Sequence, residues 1–290
     1  MNQSISLSII VVSFNGGAFI EDCLRTTFES VGTIPYQVVV VDNGSTDDTL
    51  AIIRSRFPKV TVIANEKNRG FAAAVNQGLE TATGEFILLL NQDIRVQGDS
   101  ILRLMDRLAQ DSRIGVIGPK FVNFEGRLLK SARAFPRHRD LFFELSGLSY
   151  IFPRSKTFSS WKMGWFDHEE EQEVEQPMGG AMMFRRSLVE EVGRFDETFP
   201  IFFNDVDFCR RVIEGGYRNL YYPSAVIEHF VGGATSRRRT AMIFESHRSM
   251  YRYYLKYSRG FFDELLAHLC GLLLLLAALV RAPFSLFRRK

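Results

Sequence analysis

The stretch Leu88–Val96, LLLNQDIRV, decides how this chain is read. A run of leucines suited to a buried strand stops on Asn91-Gln92-Asp93, two amides and a carboxylate. A strand covered on both faces reads as a continuous apolar run, whereas a half-exposed strand alternates. Polar residues directly after such a run mark the carboxyl edge of a sheet, where open α/β sheets bind their ligands.

The same pattern extends upstream. Residues 7–14, 37–42, 60–64 and 85–90 are short runs rich in Val, Ile and Leu, with helical patterns at 18–30, 46–57 and 71–82 between them. Strands alternating with helices predict an α/β fold, a mostly parallel central sheet flanked by helices, with right-handed crossovers. The other strand ends are Ser13-Phe14-Asn15-Gly16-Gly17, Asp42-Asn43-Gly44-Ser45 and Asn65, all small or polar. Ser45 stands three residues before Asp48, the spacing of a capping box at the start of the second helix.

Downstream, the pattern predicts a helix at 98–110, a strand at 114–118 and a hairpin around Glu125-Gly126. Residues 131–176 have no clean periodicity, a sign of a functional or mobile segment. Their acidic run Glu169-Glu170-Glu171-Gln172-Glu173 reads as a solvated loop without a metal role. Order returns with Pro177-Met178-Gly179-Gly180-Ala181, then helices at 187–192 and 204–215.

The chain has 290 residues, 46% hydrophobic and 24% charged, enough for a full core in one large domain or two smaller ones. Fibrous and disordered classes are excluded. Three scattered cysteines without a CxxC pair argue against a disulfide framework or zinc knuckle and for a reducing compartment. The start, MNQSISLSII, lacks the charged and apolar regions of a signal peptide. Residues 237–290 hold eleven Lys/Arg against three Asp/Glu, a surplus of eight; with +3 overall, the preceding residues sum to −5. An acidic body with a basic, apolar tail fits an anionic surface. Nucleic acid is not expected, because the tail is leucine-rich rather than interleaved with aromatics and arginines.

Several residues carry candidate chemistry. Asp93, at a strand end facing a ligand mouth, can hold Mg²⁺ or Mn²⁺, which take one or two carboxylates plus phosphate and water. A helix cap is the competing role, but the next helix starts too far downstream. Asp42 can stabilise a turn or accept the imide N–H of a pyrimidine. Asn68-Arg69-Gly70 with the following alanines lets either an anion or the sheet approach a helix start. Asp205 and Asp207 sit two apart in a helix and so face different ways: one can serve as a base, the other can orient an arginine or cap the helix. His229 is either structural or a metal or phosphate contact. GxGxxG, GxxxxGK[ST], HExxH and GxSxG are all absent.

Taken together, IIVVSFNGGAFIEDCL, VVVVDNGSTDDT, NRGFAAAVNQGL, LLLNQDIRV, PMGGAMMFRR and GRFDETFPIFFNDVDFCRR, with a late His229, resemble the family 2 inverting glycosyltransferases. The Asn-x-Asp form of the metal motif looks most like bacterial rhamnosyltransferases of O-antigen and cell-wall type. The resemblance implies a GT-A fold and a nucleoside-diphosphate sugar donor, dTDP- or UDP-linked. Donor contacts would come from Ser13, Phe14, Asn15, Asp42, Asn43, Ser45, Asn68, Arg69, Gly70, Asn91 and Gln92. Asp93 and His229 would hold Mg²⁺ or Mn²⁺. Gly179, Gly180, Ala181, Asn204 and Asp207 would border the donor sugar and acceptor, and Asp205 would be the base. Two departures stand out: Asn91 where many relatives have Asp, and Asn204 where they usually have Glu. The second departure makes a non-catalytic nucleotide-sugar-binding partner subunit the alternative function. A nucleotidyltransferase would need a phosphate loop richer in Gly and basic residues than SFNGG.

The resemblance covers residues 6–235, giving a catalytic domain at 1–235 and a helical, basic and apolar tail at 236–290. An amphipathic helix is expected from Ile243, with Arg248, Arg252 and Lys256 on its polar face. Residues 265–280 form a sixteen-residue apolar run, short of the ~20 needed to span a bilayer. A helix lying in the cytoplasmic leaflet fits better, placing the protein peripherally on the inner face of the cell membrane. A lipid-linked saccharide acceptor would suit that place. The competing role for the run is a core helix or a homodimer interface.

Overall fold

The computed structural model describes residues 6–230 and 239–287. Its first half alternates β1 (Leu7–Ser13), α1 (Ile20–Ser30), β2 (Tyr36–Asp42), α2 (Thr49–Arg56), β3 (Thr61–Ala64), α3 (Phe71–Thr81) and β4 (Phe86–Asn91). There follow β5 (Ile94–Val96), α4 (Ser100–Gln110), β6 (Ile114–Val122), β7 (Leu128–Leu129), β8 (Ala132–Arg133), α5 (His138–Leu145) and α6 (Leu148–Ile151). The remainder is β9 (Gln172–Val174), β10 (Gln176–Pro177), β11 (Ala181–Arg185), α7 (Arg186–Val192), α8 (Asn204–Glu214), β12 (Arg218–His229), α9 (Arg239–Lys256) and α10 (Phe261–Phe287).

The main path through the large sheet runs β3-β2-β1-β4-β11-β6-β12-β5. The β3, β2, β1 and β4 contacts are parallel, as is β6 with β12, while β11 and β5 run antiparallel to their neighbours. Successive side chains point to opposite faces, so each strand feeds both cores. Leu7, Ile9 and Val11 pack toward α1 and α4, whereas Ile10 and Val12 pack toward α3, α7 and α8. The leucines of the quoted stretch are buried, and the carboxyl ends of β1, β2 and β4 line up at one edge. The antiparallel β11 starts at that edge, so Gly179 and Gly180 just before it land there too.

Several local expectations change. Residues 131–176 are not irregular throughout, because α5 and α6 lie inside them and β8 pairs with β10. The acidic run is exposed as expected, but Gln172-Glu173 enter β9, and cations pair with it: Lys120 with Glu169 at 2.8 Å, Arg107 with Glu171 at 2.6 Å, and Arg218 with Glu173. The capping box does not form. Ser45 turns back to Asp42, and Asp47 accepts the Thr49 N–H at 3.2 Å instead.

The helices after residue 239 pack against the catalytic half. Met250, Tyr253 and Tyr254 of α9 share one core with Phe199 and Val206, and with Ala267, Cys270 and Leu274 of α10. The expected polar face of α9 is partly docked as well: Arg252 donates to the Thr198 carbonyl at 2.6 Å, and Lys256 reaches Asp196 at 2.7 Å. The expected boundary at 235/236, Gly232-Gly233 and the terminal Arg288-Arg289-Lys290 lie outside the described residues. The apolar helix is longer than the expected run, since Phe261–Pro283 gives 23 residues, long and apolar enough to cross a membrane. It buries the stripe Ala267, Cys270, Leu274 and Ala278 and leaves Leu265, Leu269, Leu272, Leu276 and Leu279 exposed.

Candidate active site

Asp205 lies in the first turn of α8. The helix is entered through Phe203, whose φ of 69° is a left-handed conformation uncommon for a side-chain-bearing residue. Asn204 explains how this entry is held: its amide donates to the Ile201 carbonyl at 2.7 Å and the Phe199 carbonyl at 3.4 Å. Asn204, expected beside the donor sugar and acceptor, is buried with its amide spent on these two carbonyls. The Asp205 carboxylate accepts the Gln176 side-chain amide at 2.6 Å and the Gly179 N–H at 3.0 Å. Gly179 has no room for a side chain, because a Cβ there would stand 2.7 Å from the Cβ of Asp205. Burial pushes the Asp205 carboxyl above its ordinary pKa, partly offset by the hydrogen bonds from Gly179, Val206 and Gln176. A carboxylate raised in this way is a better proton acceptor.

Asp207 does not share that site. It is fully buried and faces α9, accepting from Arg211 at 2.9 Å and the Tyr257 hydroxyl at 2.7 Å, with Lys256 at 2.5 Å. The two aspartates face different ways, and the one expected at the acceptor region is an internal counter-ion.

The second centre is Asp93 with His229. Strands β12 and β5 pair antiparallel, His229 opposite Ile94, which sets Asp93 Oδ1 3.4 Å from His229 Nε2. Two donors each about 2.1 Å from one ion, at roughly 90–110°, stand about 3.0–3.4 Å apart, so the pair fits a shared divalent cation. Among the described residues His229 Nδ1 is buried without a hydrogen-bond partner, and Phe121 lies edge-on to the ring at 5.5 Å. Among the described residues no group of three or more His, Cys, Asp or Glu gathers to hold a metal. A hard ion here would therefore complete its shell with phosphate oxygens and water.

The glycine turn joins the two centres. Gly179 touches Asp205, and the Gly180 carbonyl accepts the Asn91 N–H at 2.9 Å, two residues before Asp93. Gly180 also lies under the Phe121 ring, where a Cβ would be 3.0 Å away. Ala181 is buried at the start of β11.

Most of the expected donor residues lock one another. Gln92 accepts from the Ser13 hydroxyl at 2.7 Å and the Phe14 N–H at 2.9 Å, and donates to the Phe14 carbonyl at 3.0 Å. Gln92 and Ser13 are buried, so they shape the loop rather than present groups to a ligand. Asn15 takes φ 48° and accepts the Thr46 N–H at 2.8 Å. Asp42 is fully buried, its carboxylate accepting the Ser45 N–H at 2.9 Å and hydroxyl at 2.5 Å, the contacts of a turn-stabilising aspartate. Asn43, also buried, holds the next loop through the Gly70 carbonyl at 2.9 Å and the Arg69 N–H at 3.0 Å. Asn68 and Arg69 are exposed. The start of α3 is already occupied: the Phe71 and Ala72 N–H groups both donate to the Pro200 carbonyl, and a Cβ on Gly70 would meet Pro200 at 2.9 Å. Close packing, not an open anion cradle, accounts for the small residues there. Sequence reading missed Gln176; its segment lacked periodicity, and only the Asp205 contact reveals it.

An α/β sheet that sets a half-buried aspartate beside a glycine turn, with a carboxylate–imidazole pair at the same edge, is the framework of a glycosyltransferase of the GT-A fold. Residues 8–193 match the model of Glycosyl transferase family 2, and the chain belongs to that family. N-acetylglucosaminyl-diphospho-decaprenol L-rhamnosyltransferase of Mycobacterium tuberculosis is 27% identical over 262 residues, covering 84% of this chain and 82% of the relative. Hyaluronan synthase of Pasteurella multocida is 27% identical over 236 residues, 74% of this chain but 23% of that protein. Mannosyltransferase PcManGT from Pyrobaculum calidifontis, solved with GDP-Man and Mn²⁺, superposes with a TM-score of 0.60 at 21% identity, covering 98% of this chain and 74% of that one. S. aureus TarS gives 0.58 at 18% identity, covering 99% and 44%. These two structures show the fold. The expected family and its closeness to rhamnosyltransferases are borne out.

Proposed function

We propose that the protein is a metal-dependent inverting glycosyltransferase that moves a sugar, with rhamnose the leading candidate, from a dTDP- or UDP-linked donor to a saccharide hydroxyl. The observation that carries this reading is the Asp205 carboxylate, raised in pKa and held by Gln176 and Gly179 at the glycine turn, whose next residue, Gly180, accepts from the Asn91 N–H two residues before the Asp93 that faces His229. Asp205 accepts the proton of the acceptor hydroxyl. The hydroxyl oxygen forms its bond to the anomeric carbon as the bond from that carbon to the diphosphate breaks, and the nucleoside diphosphate leaves with the electron pair. Asp93 and His229 would hold Mg²⁺ or Mn²⁺, which neutralises charge on the departing diphosphate. The exposed loop at Asn68 and Arg69 is available to the donor, while base recognition by Asp42 requires Ser45 to turn away first.

The apolar helix α10 supports membrane association, at the inner face of the cell membrane in this reading. One stripe of that helix is taken by α9 and α5, which favours lying on the membrane over crossing it, with the remaining leucines toward lipid. A lipid-linked acceptor in cell-surface polysaccharide assembly suits this position, and the diphospho-decaprenol acceptor in the mycobacterial relative's name supports it. The test is a thermal-shift screen against dTDP- and UDP-sugars with Mn²⁺, followed by NMR of the product formed by the best donor. The first-formed glycoside carries the anomeric configuration opposite to the donor; retention would refute the single displacement.

A further inference from the structure

Among the described residues, one cation on the ribbon that reaches Asp205 has no hydrogen-bond or ion-pair partner. Arg133 of β8 stands opposite Gln176 of β10 in an antiparallel pair. Residues directly opposite in such a pair leave the same face, their Cβ atoms about 5 Å apart. Gln176 sends its amide to Asp205, so Arg133 leaves the ribbon on the Asp205 side. The other face is filled: Ala132 packs with Met163, Phe166 and Tyr221, and Pro177 lies against Gly118.

Neighbouring cations are matched. Arg137 pairs with Glu175 at 3.3 Å, Lys162 with Glu144 at 2.5 Å, and Arg210 with Glu214 at 3.1 Å. Arg133 makes no side-chain hydrogen bond or ion pair among the described residues. Burial pulls its pKa down, and the carboxylate that partly offsets this is Glu144, already committed to Lys162. A half-buried guanidinium has lost part of its water without gaining an anion, and its planar fork suits phosphate oxygens.

The surroundings narrow the anion. Gln176, beside Arg133 on the ribbon, reaches Asp205, and α5 carries Glu144, the carboxylate whose charge acts on Arg133. Leu141 of α5 shares a core with Ala267, Cys270 and Leu274 of α10, whose outer face is leucine. A ligand spanning this line needs a hydroxyl at Asp205, an anionic group at Arg133 and an apolar chain at α10. We propose that Arg133 binds the diphosphate of a polyprenyl-linked saccharide acceptor. This rests on the proposed role of Asp205 and is separate from the donor diphosphate at Asp93 and His229.

The test uses the full chain as wild type, Arg133→Gln and Arg133→Lys. Binding is measured to phosphatidylcholine vesicles with and without decaprenyl diphosphate, and separately to dTDP and UDP with Mn²⁺. Decaprenyl diphosphate is expected to tighten vesicle binding of the wild type about tenfold or more, the size of one charge-assisted hydrogen bond. Arg133→Gln should abolish that increment and Arg133→Lys keep part of it, with nucleotide affinity unchanged in both. The melting temperature of Arg133→Gln should not fall, because the guanidinium has no partner to lose. Equal increments in wild type and Arg133→Gln, or none in the wild type, would overturn the proposal. So would weaker nucleotide binding or a melting temperature lowered by several degrees, which would make Arg133 a donor or structural residue. Failure of both nucleotides to bind the wild type would strike the donor reading alone and leave the vesicle result readable.

Discussion

Asp205→Asn and Asp207→Asn change one atom type each, two residues apart, and should have nearly opposite consequences. Asp207 is fully buried and accepts from Arg211 and Tyr257, with Lys256 beside it. Replacing it by an amide removes the anion and leaves Arg211 and Lys256 short of a counter-charge. Breaking a buried pair by removing one partner costs about 3–5 kcal/mol. Lys256 keeps Asp196 at 2.7 Å and Arg211 keeps the Arg194 carbonyl at 2.8 Å, so the lower end, about 3 kcal/mol, is expected. Burial opposes the charged form of Asp205, so its amide variant should lose about 1 kcal/mol or less. Urea unfolding followed by tyrosine fluorescence and circular dichroism gives both values, with the slopes compared to confirm a common transition. An Asp207→Asn loss below about 1 kcal/mol accompanied by abolished transfer would refute the assignment, because Asp207 would then be the working carboxylate.

Three further outcomes follow from the same geometry. Gln176→Leu removes a donor that favours the charged form of Asp205, so the acidic limb of kcat/KM, already above the ordinary aspartate value of about 3.9, should move to higher pH; movement to lower pH would contradict it. The linked stability has the same sign. With its folded pKa raised, Asp205 contributes stability that is present below the ordinary value and lost as pH rises through the folded one. Gly179→Ala puts a methyl 2.7 Å from the Asp205 Cβ and should cut kcat about a hundredfold with donor affinity intact, measured by initial rates and calorimetry. His229→Ala should raise the Mn²⁺ concentration needed for half-maximal transfer by about tenfold or more, and an unchanged metal titration would remove His229 from the ion.

The fold was legible because its strands are buried on both faces. Leu88–Leu90 and the valines before Asp42 admit little besides a covered parallel strand, and their polar ends located the ligand edge. The candidacy of Asp93 and the separation of Asp205 from Asp207 were read from position, whereas the pairing of His229 with Asp93 was implied only by the family resemblance. The reading was less sure where an amide or carboxylate has two uses. Gln92, Asn43 and Asn204 look like ligand contacts in sequence, yet their hydrogen bonds bind one loop to another across 25 to 79 residues or within one turn. The α3 start looked equally suited to anion or backbone until Pro200, far along the chain, was seen on its N–H groups. Gln176 and Arg133 could not be read at all. They lie on a ribbon of two-residue strands, too short to leave a period.

The central claim is that Asp205 takes the acceptor proton while Asp93 and His229 serve the donor side. Single-turnover transfer by Asp205→Asn, with donor affinity measured on the same preparation in Mn²⁺, tests it most directly. The account predicts transfer slowed by about a thousandfold or more with donor affinity unchanged. Transfer within tenfold of wild type would contradict it and turn attention to another base.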